Sequence, residues 1–418
     1  MMAPDMRVTF LTHYFPPEVG PAQTRLHELA KLLIAAGTDV TVVTGFPNYP
    51  AGVVFDSYRG KQFMEDTVDG IRVLRTWVYA SRSRSFLGRL LNYLSFPIFS
   101  LLAVRKLGPV DVIYVQSPPL FTGLAALWFS RLKRAPFVFN VSDIWPQSAV
   151  ELGILHNRFA IRLAEMLERH IYRRAARITV ATPGILERLA ARGVPREKLF
   201  LLTNGVDTAA FRVAAPDLEM AGRLGLDGHK VFMYAGLHGL AQGLEVILDA
   251  AKLTGDPDIL YVLVGDGAEK PALVAKADVE GIANLRFLPI QPTSTLPALL
   301  NLAYATIIPL KRRELFKAAV PSKMFDSMAA GRPIVGPLWG EAAELVEKAG
   351  CGLVVEPENA RAVQQAVEKL AANPALATRL GESGRRYVVE HFDRNDQAAR
   401  LIALLETVTR PRMAGRRP

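Results

Sequence analysis

The sequence predicts an α/β protein made of two doubly wound parallel sheets, and three observations lead to this prediction. Its 418 residues exceed one ordinary hydrophobic core, so two domains are expected. Half of the residues are hydrophobic and 22% are charged, which is typical of a globular protein and excludes a mainly disordered chain. Short apolar runs alternate with helical patterns in both halves, as in parallel sheets that helices cover on both faces.

The first half shows strand signals in short apolar runs and helix signals in longer amphipathic stretches. The predicted strands are Val8–Thr12, Val40–Thr44, Val73–Trp77, Val112–Val115, Phe137–Val141, Ile178–Ala181 and Leu199–Leu202. The predicted helices are Gln23–Ala36, Gly123–Leu132, Arg158–Arg174 and Gly184–Arg192. Strands joined through helices in this way run parallel.

The second half repeats the scheme. The predicted strands are Val231–Ala235, Tyr261–Val264, Leu285–Phe287, Thr306–Ile308, Ile334–Val335 and Gly352–Val355. From Ala360 onward the pattern is mostly helical, and the tail Arg410–Pro418, rich in Arg, Pro and Gly, is expected to be mobile. Two such domains facing each other would place a cleft at the carboxyl ends of their strands, where α/β proteins bind ligands.

One half of the chain carries the whole formal net charge of +10. Residues 1–205 hold 25 Lys and Arg against 15 Asp and Glu, whereas residues 206–418 hold 25 of each. The basic half has neither an RNA- or DNA-binding signature nor interleaved basic and aromatic residues. We therefore expect an anionic membrane surface or a lipid diphosphate as its partner, and no nucleic acid.

The segment Phe86–Lys106 is the most apolar part of this basic half. The stretch between Arg89 and Arg105 is shorter than the roughly 20 residues that span a bilayer, and Pro97 would kink it. We expect a helix lying in the headgroup region, flanked by Arg82, Arg84, Arg89, Arg105 and Lys106. A buried helix that covers the sheet is the alternative, and the two are partly compatible.

Cysteine usage and the N-terminus indicate the compartment. The single cysteine, Cys351, cannot form an intramolecular disulfide, and the chain runs from Met1 into the strand-like Arg7-Val-Thr-Phe-Leu-Thr12 without a signal-peptide layout. We therefore expect a cytoplasmic protein, associated peripherally with the inner face of the cell membrane through its basic half.

The most informative stretch is Ala318-Ala-Val-Pro-Ser-Lys-Met-Phe-Asp-Ser-Met-Ala-Ala-Gly-Arg-Pro-Ile-Val-Gly336. Ser322 is predicted to cap a helix whose free N–H groups, with Lys323, receive a diphosphate. Asp326 lies on the same helical face as Lys323, so its carboxylate can accept hydrogen bonds from a ribose diol. The alternative is that Pro-Ser-Lys only starts a helix and Gly-Arg-Pro only ends it.

Three further motifs occur in a fixed order. They are Leu202-Thr-Asn-Gly-Val-Asp207 at mid-chain, Tyr234-Ala-Gly-Leu-His-Gly-Leu-Ala-Gln-Gly243, and Val262-Leu-Val-Gly-Asp-Gly267. In this order they resemble the retaining glycosyltransferases of family 4 over nearly the whole chain. The motifs Phe15-Pro-Pro-Glu18, Asp143-Ile-Trp-Pro146 and Pro321-Ser-Lys323 are similar to those of bacterial O-antigen, capsule and colanic-acid enzymes, including fucosaminyltransferases.

The resemblance implies a GT-B fold, in which two facing Rossmann-like domains enclose a cleft. Residues 1–205 would form the acceptor- and membrane-facing domain and residues 206–385 the nucleotide-sugar domain. Residues 386–418 would form a helix that crosses back to the first domain, plus the tail. The donor-binding positions that it implies are Gly20, Gly236, His238, Gln242, Gly265, Ser322, Lys323 and Asp326.

The loop after the first predicted strand is the donor-site candidate of the first half. Gly20 permits close approach of the backbone to a phosphate, and the N-terminus of the following helix favours its charge. A surface turn stiffened by Pro16 and Pro17 is the alternative.

Two carboxylates and one lysine are the catalytic candidates. Asp143, just after Phe137–Val141, would orient the acceptor hydroxyl, unless it only caps the turn into Trp145-Pro146. Glu18 is the second carboxylate. Lys323 would stabilise the charge that develops on the leaving diphosphate.

The chain departs from the family pattern in both halves. Many relatives carry a histidine where Ser142 stands, so a histidine-assisted mechanism is not expected here. The two family glutamates fall on Ala318 and Asp326, and position 318 can recognise a sugar only through its backbone.

The family Arg and Lys after the first strand of the second domain are matched here by Leu237 or His238 and by Gln242. Lys323 would therefore carry more of the phosphate charge. Arg312, Arg313 and Lys317 could assist it, or could be solvated loop charges.

The sequence thus predicts an enzyme that transfers a hexosyl or N-acetylaminosugar group from a UDP-sugar to a hydroxyl of a lipid-linked saccharide, with retention, in surface polysaccharide synthesis. No metal or organic cofactor is expected, because no carboxylate cluster or histidine pattern has metal-ligand spacing. Two alternatives stay open: an isomerase similar to the nucleotide-sugar 2-epimerases, and a non-catalytic donor-binding partner subunit, which the loss of glutamate at Ala318 would suit.

Overall fold

The structure of the protein, a computed structural model, describes residues 6–49, 52–82, 86–151, 153 and 155–413. Arg84 and the tail beyond residue 413 lie outside the described residues, as does the side chain of Phe86. The chain divides into two compact units: unit 1 is Met1–Asn204 with Asn395–Pro418, and unit 2 is Gly205–Arg394.

Strands and helices alternate along almost the whole chain. The strands are β1 (Arg7–Leu11), β2 (Asp39–Gly45), β3 (Phe63–Val68), β4 (Ile71–Thr76), β5 (Val112–Ser117), β6 (Phe137–Val141), β7 (Arg177–Val180), β8 (Leu199–Leu201), β9 (Lys230–Ala235), β10 (Ile259–Val264), β11 (Leu285–Leu288), β12 (Ala305–Ile307), β13 (Ile334–Pro337) and β14 (Gly352–Val355). The helices are α1 (Pro21–Ala35), α2 (Phe86–Val104), α3 (Thr122–Lys133), α4 (Gln147–Glu151), α5 (Arg158–Arg174), α6 (Pro183–Ala191), α7 (Leu218–Leu224), α8 (Glu245–Leu253), α9 (Lys270–Glu280), α10 (Leu296–Leu302), α11 (Lys323–Ala329), α12 (Glu341–Ala349), α13 (Ala360–Ala371), α14 (Pro374–His391) and α15 (Arg394–Met413).

Unit 1 contains an eight-stranded sheet in the order β3-β4-β2-β1-β5-β6-β7-β8. All neighbours pair in parallel except β3 and β4, which pair antiparallel. Every strand predicted in the first half is present, with ends shifted by one or two residues. Strand β3 was not predicted, because this edge strand includes Glu65 and Asp66 and lacks the apolar run of a buried parallel strand.

Helices cover both faces of the sheet of unit 1. Because β1 is followed by a crossover to one side and β5 by a crossover to the other, their helices α1 and α3 lie on opposite faces. The α1 face shares one core with α15, to which Val8, Phe10, Leu29, Leu33, Val42, Tyr114, Leu401 and Leu405 belong. The other face is covered by α2 and α3, which contact each other, and α3 also contacts α5.

Helix α2 is the predicted apolar segment, and it is part of the fold of unit 1. Residues Leu87–Val104 are long and apolar enough to cross a membrane by length and composition, with a mean hydropathy of 1.4, yet 39% of them are buried within the protein. Phe96 is fully buried, and Asn92 Oδ1 accepts a 2.8 Å hydrogen bond from His13 Nε2. One side of α2 therefore covers the sheet, as the alternative prediction states.

Unit 2 contains a six-stranded sheet in the order β11-β10-β9-β12-β13-β14, and all neighbours are parallel. The chain proceeds outward from β9 through β10 to β11, and then outward from β12 through β13 to β14. The order therefore reverses between β9 and β12, where open α/β sheets bind ligands beyond the carboxyl ends of the strands. Each strand predicted in the second half coincides with one of these strands.

Unit 2 extends beyond the predicted boundary at residue 385. Helix α14 packs against α11, and Gly381 comes so close to Gly331 that an added Cβ would lie 2.1 Å from the Gly331 carbonyl oxygen. Arg394 closes the unit by donating its backbone N–H to the Val206 carbonyl oxygen over 3.0 Å. Unit 2 therefore includes the whole of α14, whereas the predicted boundary lies within that helix.

Candidate functional site

Most of the predicted donor residues lie at one edge of the unit 2 sheet. Gly236, His238 and Gln242 follow β9, Gly265 follows β10, and Ser322, Lys323 and Asp326 belong to the start of α11. Strands β9 and β10 pair in parallel, so the loops that follow them leave the sheet side by side. Gly20, Glu18 and Asp143 lie in unit 1.

The amine of Lys323 lies against Tyr234, the last but one residue of β9. Its Nζ donates a 2.5 Å hydrogen bond to Tyr234 Oη and lies 3.8 Å from the centre of that ring. Burial lowers the pKa of Lys323 to about 7, although Asp326 raises it. An anion beside Nζ would favour the charged amine, so the site is suited to receive negative charge.

Two glycines hold the loops after β9 and β10 together. Gly236 has φ = 146° and Gly265 has φ = 139°, a backbone region that residues with a Cβ rarely adopt. A Cβ at Gly265 would lie 2.0 Å from the Gly236 carbonyl oxygen, and one at Gly236 would lie 2.6 Å from Lys323 Nζ. Both positions therefore require glycine to keep the loops and the lysine in contact.

His238 and Gln242 place polar atoms inside the loop after β9. Neither ring nitrogen of the buried His238 makes a well-aligned hydrogen bond with a described residue, and neither does the buried Gln242 Oε1. Burial, and next the charge of Lys270, lower the pKa of His238 to about 4, so its ring is neutral at pH 7. Buried polar atoms without partners are costly, which indicates that a ligand or water completes them.

A cavity lies where the strand order reverses. Its lining residues are Met233, Ala235, Leu296, Leu300, Thr306, Ile308, Lys323, Asp326 and Ser327. Thr306 Oγ1 is buried there without a hydrogen-bond partner among the described residues. The cavity thus combines an apolar wall with four polar side chains, those of Thr306, Lys323, Asp326 and Ser327.

The predicted cap at Ser322 is wrong in one respect. Ser322 occupies the N-cap position of α11, but its side chain makes no capping hydrogen bond and its backbone is already helical (φ −58°, ψ −32°). Since α11 has only seven residues, its dipole offers little to a phosphate. Any diphosphate held here depends on the amine of Lys323 and on the glycine loops rather than on capping.

The basic loop before α11 has partners within unit 2. Arg312 lies 3.5 Å from Glu356, and its guanidinium lies 5.6 Å from the centre of the Trp339 ring. Arg313 and Lys317 are exposed, whereas Ala318 is buried. That these cations assist Lys323 in binding phosphate stays a prediction.

Sequence reasoning missed two residues of this site, Tyr234 and Lys270. Tyr234 Oη donates to the Leu237 carbonyl oxygen over 2.6 Å while it accepts from Lys323. Lys270 Nζ donates to the carbonyl oxygens of Gly265 and Leu288 at 2.7 and 3.1 Å. The Tyr at the end of a buried apolar strand was a detectable signal, whereas Lys270 became recognisable only from the fold.

In unit 1, Glu18 joins the loop after β1 to the loop after β2. Its carboxylate accepts hydrogen bonds from the backbone N–H groups of Phe15, Asn48 and Tyr49 at 3.2, 2.8 and 2.9 Å. Glu18 is 2% exposed, and this burial raises its pKa to about 7 despite those three bonds. These contacts favour a loop-anchoring role over the predicted contact with substrate.

Because the pKa of Glu18 is raised in the folded protein, stability is expected to depend on pH. Folding favours its protonated form, so the contribution of Glu18 to the free energy of unfolding should be largest below about pH 4.5 and be lost as pH rises to about 7. We expect Glu18→Gln to flatten this part of the pH dependence, measured by urea unfolding at pH 5 and pH 8. If the free energy of unfolding changes by the same amount between pH 5 and pH 8 in parent and variant, the raised pKa of Glu18 is contradicted.

Asp143 lies half-buried just after β6, as predicted. Burial raises its pKa, while hydrogen bonds from the Ser148 side chain and the Ile144 backbone lower it. The neighbouring Ser142 Oγ accepts bonds from Gln116 and Asn140 at 3.1 and 2.9 Å. The contacts of Asp143 are those of a turn-capping residue, so its catalytic role stays a prediction.

Gly20 stands immediately before α1 with extended backbone (φ 174°). A Cβ there would lie 2.6 Å from Gln23 Oε1, so the position has little room. Pro21 follows as the first helical residue and offers no N–H group. A phosphate contact at Gly20 could use only its own amide and those further along α1, and it stays a prediction.

Among the described residues, no group of three or more His, Cys, Asp or Glu side chains is arranged to hold a metal ion. This finding concerns protein ligands only. The expectation that no cofactor is needed stays a prediction.

Two protein-family models together match most of the chain. A glycosyl transferase 4-like domain matches residues 20–205, and a glycosyl transferases group 1 domain matches residues 219–387. The first match lies within unit 1 apart from its last residue, and the second lies within unit 2.

Individual proteins agree with these matches. The "Putative colanic acid biosynthesis glycosyl transferase WcaI" of Escherichia coli (strain K12) is 27% identical, covering 89% of this chain and 94% of that protein. The GDP-mannose-dependent alpha-mannosyltransferase of Mycolicibacterium smegmatis is 25% identical, covering 91% and 90%. Among solved structures, Anabaena HepE in complex with UDP and glucose is 17% identical and has a TM-score of 0.74 over 96% of this chain and all of that one. The last likeness shows the fold, which is the GT-B fold expected from the sequence.

Proposed function

Because the chain belongs to the glycosyltransferases and resembles enzymes of polysaccharide biosynthesis, we propose that it transfers a sugar from a UDP-sugar to a hydroxyl of a lipid-linked saccharide, with retention at the anomeric carbon. The single observation that carries the proposal is the buried amine of Lys323 beside the paired glycine loops of unit 2. This amine lies where the order of the strands reverses, at the cavity that the sheet edge forms.

The proposed reaction breaks the bond between the anomeric carbon and the diphosphate and forms a bond from that carbon to the acceptor oxygen. The acceptor hydroxyl proton passes to an oxygen of the departing phosphate, so no protein base is needed for the balance. Lys323 in its charged form stabilises the negative charge that grows on the diphosphate. The carboxylate of Asp326, on the same cavity wall, would accept hydrogen bonds from the ribose diol.

The choice of UDP rests on Anabaena HepE, whose crystal structure is a complex with UDP and glucose. The Mycolicibacterium relative is named for GDP-mannose, so the base is the part of the donor that most needs a test. That relative is also named an alpha-mannosyltransferase, which supports an α-linked product. An α-linked donor that gives an α-linked product retains its configuration.

The lipid-linked acceptor and a peripheral place on the inner face of the cytoplasmic membrane belong to the same proposal. They are supported by the basic charge of residues 1–205 and by the outer side of α2. On that side Leu87, Leu91, Ile98 and Leu102 are 62%, 41%, 57% and 43% exposed. These residues recur at helical spacing, as on a helix that lies in a membrane interface.

We expect Leu91→Ser with Ile98→Ser to weaken binding to anionic vesicles by about tenfold, because two apolar contacts with the lipid are lost. Phe96 and Phe99 are unsuitable targets, since Phe96 is fully buried and Phe99 stacks on Trp77 with ring centres 4.5 Å apart. Cosedimentation with vesicles measures the effect. The control is Leu253→Ser with Ile290→Ser, two exposed sites of unit 2. If the α2 variant binds the vesicles as tightly as the unit 2 control does, a role for α2 is contradicted.

Turnover with a panel of UDP-sugars and lipid-linked saccharides tests the proposed function. We expect UDP release that requires an acceptor, and an α-linked product identified by NMR. Release of an altered free donor without an acceptor would instead show an isomerase. Saturable UDP binding without turnover across the panel would show a non-catalytic subunit.

The proposal needs no metal or organic cofactor, since the amine of Lys323 would itself stabilise the charge on the departing diphosphate. We expect turnover to persist after dialysis against EDTA. A loss that added Mg²⁺ restores would contradict this part of the proposal.

A further inference from the structure

We propose that the outer face of helix α5 is a second contact with anionic lipid, separate from α2. This inference rests on the proposed membrane location and names the surface that makes it. The face is defined here as Phe159, Leu163 and Met166, with Arg158, Arg162, Arg169 and Arg173 beside them. Nothing in the transfer reaction itself uses these residues.

The apolar part of this face is unusually exposed. Phe159, Leu163 and Met166 are 77%, 57% and 59% exposed, and their spacing places them on successive turns of one side of the helix. The opposite side packs into unit 1 through Ala164, Glu168 and Ile171. Helix α5 is therefore fixed to unit 1 on its inner side and presents large apolar side chains on its outer side.

The polar part of the face is basic. Arg158, Arg162, Arg169 and Arg173 are exposed. The acidic residues of α5 already face arginine: Glu165 lies 3.9 Å from Arg169, and the buried Glu168 is bound by Arg192. The outer side thus combines apolar insertion with cationic attraction, which is the pattern of an interfacial helix.

Neighbouring helices extend the same kind of surface. Helix α3 contacts both α2 and α5, and it exposes Trp128 and Leu132 at 37% and 60%. Neither α2 nor α3 contains an Asp or Glu residue. All three helices on this face of the unit 1 sheet therefore expose apolar residues, and the two acidic residues of α5 are paired with arginine.

Charge argues for lipid over a second copy of the chain. A symmetric dimer through α5 would bring its arginines against the same arginines of the other copy, which is unfavourable. An anionic lipid surface instead offers phosphates to every exposed arginine. The occupant that the surface fits is therefore a phosphate-bearing lipid layer.

A fluorescent label at Leu163 tests the contact directly. Cys351, the single cysteine, is fully buried, so Leu163→Cys gives one accessible thiol for a polarity-sensitive dye. The matched control is Val279→Cys, on α9 of unit 2, where Val279 is 88% exposed. We expect a blue shift of the Leu163 label on vesicles of phosphatidylglycerol and phosphatidylcholine, and no shift for the Val279 label.

A charge variant supplies the second arm of the test. Arg158→Gln with Arg162→Gln and Arg173→Gln should weaken partitioning onto these vesicles by about 100-fold, since each arginine near an anionic surface contributes about 1 kcal/mol. The matched control replaces three exposed arginines of unit 2 by Gln: Arg223, Arg361 and Arg379. Titration with UDP shows that each variant keeps its donor site, so a failure of the donor proposal is seen separately.

The outcomes are decisive. A shift at Leu163 together with the arginine effect supports the proposal. Vesicle binding with no shift at Leu163 would overturn it and leave α2 as the contact. A shift that depends on protein concentration in the absence of lipid, with a dimer in light scattering, would overturn it in favour of self-association.

Discussion

Replacing Lys323 by Ala is expected to lower kcat/KM for the UDP-sugar by roughly 10- to 150-fold, as a charge-assisted hydrogen bond worth ~1.5–3 kcal/mol is lost in the transition state. The reason is structural: Lys323 Nζ is held 2.5 Å from Tyr234 Oη at the edge of the cavity. Steady-state kinetics with the native donor measure the loss.

The same variant should not lose stability through its charge. Burial depresses the pKa of Lys323 from 10.5 to about 7 in the folded state, so the amine costs stability as pH falls from about 10.5 to about 7. Its removal should leave the free energy of unfolding at pH 7 unchanged or raised, apart from lost packing. A lowered melting temperature with unchanged kinetics would mean that Lys323 serves only the start of α11.

Tyr234→Phe is the matched control for this prediction. It removes the oxygen that accepts the hydrogen bond of Lys323 but keeps the ring beneath the amine. We expect a smaller loss of kcat/KM than in Lys323→Ala, because the cation remains. A loss as large as that of Lys323→Ala would show that the position of the amine, and not only its charge, is essential.

Gly265→Ala is expected to abolish UDP binding and to cost about 2–4 kcal/mol of stability. Its Cβ would lie 2.0 Å from the Gly236 carbonyl oxygen, and φ = 139° is unfavourable for alanine. The two loops would then have to separate at the point where Gly236 approaches Lys323. Calorimetric titration with UDP and thermal unfolding measure the two effects.

Gly255→Ala is the control, since an added Cβ there meets no atom within 4 Å. It should leave UDP affinity and melting temperature near those of the parent. If Gly265→Ala binds UDP as the parent does, the contact between the two loops is not needed for the donor site.

The sheets could be predicted from the sequence because buried parallel strands are continuous apolar runs. Val112–Val115 and Phe137–Phe139 are such runs, and the strands that contain them, β5 and β6, are wholly buried. The edge strand β3 could not be predicted in this way, because one of its faces meets solvent and carries Glu65. The late end of unit 2 was also hidden, since it depends on the close approach of Gly381 to Gly331.

Site residues could be predicted where a residue type suited to phosphate binding stands within a recognisable local motif, as at Lys323, Gly236 and Gly265. They could not be predicted where the partner is distant in sequence. Tyr234 meets Lys323 only because the fold brings the end of β9 to the start of α11, and Lys270 donates a hydrogen bond to the carbonyl oxygen of Gly265. The anchoring role of Glu18 likewise depends on the backbone of Asn48 and Tyr49, which no spacing reveals.

Lys323 and the paired glycine loops of unit 2 are proposed to hold a UDP-sugar donor. Calorimetric titration of the full chain with UDP and GDP, repeated on Gly265→Ala, tests this proposal most directly. We expect saturable binding of UDP, at least about tenfold weaker binding of GDP, and no UDP binding by the variant. Absence of saturable UDP binding by the parent, tighter binding of GDP, or unchanged UDP binding by Gly265→Ala would contradict it.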